Sequence, residues 1–112
     1  MCTQKQLSQI TEEMANCYRK YYGDAVVGIF LYGSYARGDY DAESDIDITA
    51  IVKGERSELQ ETLKMIWDYS SDVGLEHDIV ISPSVIPYDE YETYKDSLPY
   101  YRNIQKEGKQ IG

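Results

Sequence analysis

Gly33-Ser34-Tyr35-Ala36-Arg37-Gly38-Asp39-Tyr40-Asp41-Ala42-Glu43-Ser44-Asp45-Ile46-Asp47 joins a small-residue turn to a pair of acids, with ten residues between Ser34 and Asp45. The run before it, Ala25 to Tyr32, is rich in Val, Ile and Phe and stops at Gly33, the pattern of a buried strand ended by a turn. The run after it alternates. Asp45, Asp47 and Thr49 share one side, Ile46, Ile48 and Ala50 the other, so residues 45–52 read as a second strand with one polar face, closed by Lys53-Gly54. Ser34 to Tyr40, between them, can start a short helix.

Working outward, Leu7, Ile10, Met14, Cys17, Tyr18 and Tyr21 recur at helical spacing, with Thr3 and Gln6 as a capping box and Gly23 as a stop, which predicts a helix over 4–22. Ser57 and Gln60 make a second capping box before Leu59, Leu63, Ile66 and Trp67, which predicts a helix over 58–72. Glu76 to Ile81 reads as a third strand stopped by Ser82-Pro83. Beyond Pro87 lies a tyrosine-rich helical pattern, and Pro99 suits the first turn of a last helix carrying Tyr101 and Ile104. The expected fold is α/β (α+β): one domain over residues 1–112, with a small mixed β-sheet flanked by helices.

The 112 residues suffice for a core without disulfides, and Cys17 falls on the apolar stripe of the first helix as a small hydrophobe. The longest apolar stretch, Ala25 to Tyr32, is too short to span a bilayer, and the N-terminus lacks a secretory pattern. A cytoplasmic protein without membrane association is expected. The net charge of −9 argues against extended nucleic-acid binding, which needs clustered Lys and Arg. It suits a small anionic substrate only if metal ions neutralise the site.

Asp45 and Asp47 stand at i and i+2 of a strand, so both carboxylates can reach a pair of divalent ions. Burying them without cations would cost free energy, and an exposed edge face is the plainer account of any Asp-x-Asp alone. Gly33 can let a phosphate approach the backbone, Ser34 adds a hydroxyl and an N–H, and Arg37 stands one turn on. By residue usage the combined spacing arises by chance in roughly one 100-residue chain per thousand. It points to a nucleoside triphosphate, Mg²⁺ and phosphoryl or nucleotidyl transfer. On the expected third strand, Asp78 can face Asp45 and Asp47 as a further metal ligand and help deprotonate an acceptor, with Glu76 as its rival on the same face. His77 points the other way by alternation, and no Gly-x-x-x-x-Gly-Lys run or zinc spacing is present.

Through Gly33, Ser34, Asp45, Asp47 and Asp78, with Ala36-Arg37-Gly38, Ser44 and the closing Leu98-Pro99-Tyr100-Tyr101-Arg102-Asn103-Ile104-Gln105-Lys106-Glu107-Gly108, the sequence resembles the minimal nucleotidyltransferases of the DNA polymerase β-like superfamily. The resemblance implies the nucleotidyltransferase fold and Mg²⁺-dependent transfer of AMP from ATP to a hydroxyl, with two ions and release of pyrophosphate. It implies Gly33 and Ser34 at the nucleotide, and Asp45, Asp47 and Asp78 as catalytic metal ligands; Arg37, by its position one turn on, can touch a phosphate or stand as an exposed helix residue. It also implies a HEPN-domain ribonuclease toxin as partner, with a toxin tyrosine as acceptor. Two further readings remain open at this point: an antitoxin that acts by binding alone, and transfer to a small molecule. Tyr88, Tyr91, Tyr94, Tyr100 and Tyr101 either pack the last helices or form a partner surface.

Overall fold

The computed structural model describes residues 3–38 and 45–112, without the side chains of Ser34 and Arg37. The chain starts with α1 (Gln4–Tyr22), where Thr3 and Gln6 form the reciprocal capping box, and Gly23 ends the helix at φ 60°. A 3-10 turn leads into β1 (Val26–Tyr32), then a four-residue helix α2 (Ser34–Arg37), β2 (Ile46–Val52) and the long α3 (Arg56–His77). β3 (Ile81–Pro87), α4 (Tyr88–Tyr94), α5 (Pro99–Glu107) and a two-residue β4 (Lys109–Gln110) follow.

The sheet is mixed, in the order β3-β2-β1-β4. β2 runs antiparallel to β1, with Tyr32 opposite Asp47 and Phe30 opposite Thr49, and parallel to β3, with Asp47 beside Ser82 and Thr49 beside Ser84. Alternation splits the residues of β2 between two layers. Ile46, Ile48, Ala50 and Val52 pack into the main core with Ile10, Met14 and Tyr18 of α1 and Leu59, Leu63 and Ile66 of α3. Ile51 faces a second, smaller core with Ile86 of β3 and Tyr101 and Ile104 of α5. The apolar faces of α1 and α3 thus cover one side of the sheet, and α5 packs on the other together with Tyr88 and Tyr91 of α4.

The third strand corrects the expectation drawn from the sequence. Residues 76 and 77 are helical, and the strand begins at Ile81 and runs through Ser82-Pro83. α3 continues because Val73 and Gly74 keep burying the helix face. Gly74 lets the chain fold back, since a Cβ there would lie 2.5 Å from the Ile79 carbonyl oxygen. The Ile79 N–H donates to Gly74 O and the Asp78 N–H to Leu75 O, a left-handed helix ending with Asp78 at φ 55°. Pro83 is tolerated because β3 is an edge strand; the register turns its missing N–H to the open side. The Ser57–Gln60 box is not formed either: α3 starts at Arg56, and Glu55 precedes it without a side-chain cap. Arg56 instead pairs with Glu90 of α4, whose carboxylate also accepts from the Tyr101 hydroxyl at 2.7 Å.

Tyr18 ties α1 to the seam between β2 and β3. Its hydroxyl lies 2.8 Å from the Ser84 carbonyl and 3.1 Å from that of Ile48, and accepts from the Ser84 N–H at 3.1 Å. Tyr18→Phe is expected to lower stability by about 1–2 kcal/mol, because buried backbone groups lose their partner. Burial also raises the Tyr18 phenol well above its usual range and pushes Tyr22 and Tyr101 up to about 12. Because the folded values lie above the unfolded ones, their contribution is complete below pH of about 10 and is lost as pH rises from there toward 12. Thermal melts of both proteins between pH 7 and 12 check the two effects: Tyr18→Phe should melt lower at pH 7 and lose less of its remaining stability above pH 10.

Candidate active site

Gly33 lies directly after β1 with φ 79°, a conformation that disfavours side chains, and a Cβ built there would sit 2.6 Å from Oδ2 of Asp47. The turn therefore packs on the second aspartate of the pair, and its glycine is needed for both backbone conformation and space. The Gly33 carbonyl accepts from the Ala36 N–H at 3.1 Å and opens α2. Asp45 is exposed just before β2, and Asp47 is half-buried at its second position. Asp47 lies on the side of β2 opposite Ile46 and Ile48, whereas Asp45 precedes the first residue of the strand. The Ser34 and Arg37 side chains, and residues 39–44, lie outside the described residues.

Asp78 does not join this face. It is exposed at the end of α3 and lines a groove of about 480 Å³ with Trp67, Leu75 and Val80, away from Asp47. Glu76 is exposed on the last turn of α3, and the His77 ring lies 3.9 Å from Glu13 of α1. The position on β3 in register with Asp47 is Ser82. Among the described residues no third carboxylate stands next to Asp47 on the neighbouring strands.

Hydroxyls stand there instead. Tyr32, Asp47, Thr49, Ser82, Ser84 and Tyr100 line a cavity of about 230 Å³ on the open side of the sheet. Thr49 is 1% exposed and its hydroxyl has no hydrogen-bond partner among the described residues, which a buried hydroxyl seldom tolerates without a ligand or water. Thr49 was legible from its alternation with Asp47. Ser82 and Ser84 were hidden by reading Ser82-Pro83 as a turn, and Tyr100 by its place among many tyrosines.

The donor chemistry suits a hard divalent cation: carboxylate oxygens of Asp47 and of Asp45 just before the strand, beside a glycine that lets an anionic group approach. Asp45 and Asp47 would hold such ions, which neutralise phosphate charge and activate a hydroxyl. No described helix is long and apolar enough to cross a membrane.

The family model of the nucleotidyltransferase domain matches residues 11–111. Two provisionally named protein adenylyltransferases of Methanocaldococcus jannaschii are similar to the chain. One is 40% identical over 78 residues, covering 70% of this chain and 77% of the relative. The other is 31% identical over 98 residues, covering 88% and 90%. Two solved toxin–antitoxin structures share the fold at a TM-score of 0.54, each covering 89% of this chain and 70% of theirs. One contains AMP-PNP and is 17% identical; the other is a mutant of MntA–HpeT and is 14% identical. With the strand–glycine–helix–strand unit and its aspartate pair in place, the chain belongs to the nucleotidyltransferase domain family and is a nucleotidyltransferase.

Proposed function

We propose that the chain transfers AMP from ATP, with Mg²⁺, to a hydroxyl of a partner protein, a tyrosine of a HEPN-type ribonuclease toxin, and that it thereby acts as the antitoxin. The packing of Gly33 on Asp47 carries this reading, because it sets a backbone turn open to phosphate against a metal-binding carboxylate. The names of the M. jannaschii relatives and the toxin–antitoxin structures that share the fold support protein as acceptor and a toxin as partner.

In this reading Asp45 and Asp47 would hold the ions, which would neutralise the triphosphate and lower the charge cost of attack at the α-phosphorus. Gly33 keeps the Asp47 carboxylate in place and leaves the turn bare of side chains. The acceptor hydroxyl enters over the cavity floored by Thr49 and Ser82. With no third carboxylate among the described residues on this face, positioning and charge neutralisation provide most of the rate. The acidic surface, at net charge −9, disfavours a polynucleotide acceptor.

Incubation with Mg²⁺, α-labelled ATP and a HEPN-type toxin from the same organism tests the proposal. Label is expected on a toxin tyrosine, with loss of ribonuclease activity. Silencing of the toxin without label would replace catalysis by binding alone.

A further inference from the structure

The cavity beside Asp47 already contains a phenol. Tyr100, the second residue of α5, is 42% exposed, and its ring meets Tyr32 edge-on at 5.5 Å. Its hydroxyl lies 3.5 Å from Ser84 Oγ, at the outer limit of a hydrogen bond. Other tyrosine hydroxyls are held tightly: Tyr18 at the β2–β3 seam, Tyr22 on Leu59 O at 2.7 Å and Tyr101 on Glu90 at 2.7 Å. Tyr100 is loosely held, solvent-accessible and on the wall that Asp47 shares.

The spacing suits an acceptor. Ser84 stands two residues along β3 from Ser82, the register partner of Asp47. With a rise of about 3.3 Å per residue and strands about 4.8 Å apart, the Ser84 and Asp47 backbones are roughly 8 Å apart. Both residues line the cavity of about 230 Å³, which has room for a phosphoryl group. The partnerless Thr49 hydroxyl, buried in the same wall, offers that group a hydrogen bond.

We propose that Tyr100 is a self-modification site: without a partner protein, the chain adenylylates its own Tyr100. The Tyr100 phenolic oxygen bonds to the α-phosphorus of ATP. The bond from that phosphorus to the oxygen bridging the β-phosphate breaks, pyrophosphate leaves with the electron pair, and the phenolic proton passes to solvent. No redox change is involved. The product fills the cavity beside Asp47, so the modification limits itself to one group and competes with a partner's hydroxyl. This inference rests on the transfer reading above and adds an acceptor to it.

The test uses the full chain with Mg²⁺ and ATP and no partner, followed by intact-mass measurement and peptide mapping. One adenylyl group per chain is expected, on the peptide containing Tyr100. It should be absent in Tyr100→Phe and Asp47→Asn and retained in Tyr94→Phe, whose exposed ring lies outside the cavity. Circular dichroism melts of Tyr100→Phe matching the parent show that loss of the adduct is not unfolding. An adduct on Tyr32, or one that persists in Tyr100→Phe, overturns the assignment. Absence of an adduct in protein that does label its toxin overturns self-transfer and leaves the transfer reading standing. Absence of an adduct, toxin labelling and pyrophosphate release together overturns both.

Discussion

Asp45→Asn with Asp47→Asn reduces nucleotidyl transfer by at least about 10³-fold, roughly 4 kcal/mol of transition-state stabilisation, while the melting temperature stays near that of the parent. The size of the loss follows from what the pair does. In the proposed reaction the two carboxylates would hold divalent ions, and those ions would offset the triphosphate's negative charge. The intact fold follows from where the residues lie. Asp45 is exposed before β2, Asp47 is half-buried, and the side chains that hold β2 in the main core are Ile46, Ile48, Ala50 and Val52. Asn keeps the size and removes like-charge repulsion, so stability should not fall much. Initial rates of label transfer beside calorimetric melts separate the two effects.

Gly33→Ala is the second large effect, and its cause is geometric. At φ 79° a side chain costs about 1–2 kcal/mol, and the new Cβ would lie 2.6 Å from Asp47 Oδ2, so the carboxylate must move. Misplacing a catalytic group by about 1 Å can cost on the order of 10² in rate, which is the expected loss here. Gly38→Ala is the matched control. Gly38 also has positive φ, at 87°, but no described residue lies within 4 Å of a Cβ there. It should lose a similar amount of stability and keep most of its activity. Equal loss of activity in both variants would show that backbone strain, and not contact with Asp47, is responsible.

Much of this was legible in the chain. The Thr3–Gln6 box, the apolar run to Tyr32 and the alternation from Asp45 each have a local cause, and the structure forms each of them. The reading failed where tertiary context decides. Ile79-Val80-Ile81 looked like the core of a strand, but the fold-back at Gly74 and Asp78 makes the first two of these residues a connector. Pro83 looked like a stop because its tolerance depends on β3 being an edge, which no local pattern reveals. That one shift moved Asp78 off the face of Asp47 and put Ser82 there. β4 was missed because two polar residues carry no strand signal; they pair with Phe30 and Leu31 only after α5 returns the chain to β1.

If Asp45 and Asp47 hold divalent metal against a triphosphate at the Gly33 turn, ions and nucleotide must be found there together. Crystals grown with Mn²⁺ and a non-hydrolysable ATP analogue, measured for anomalous scattering, test it most directly. Metal peaks are expected on the carboxylates of Asp45 and Asp47, with the triphosphate along the Gly33 turn. Nucleotide bound elsewhere, or bound at the turn with no metal on either aspartate, would contradict it.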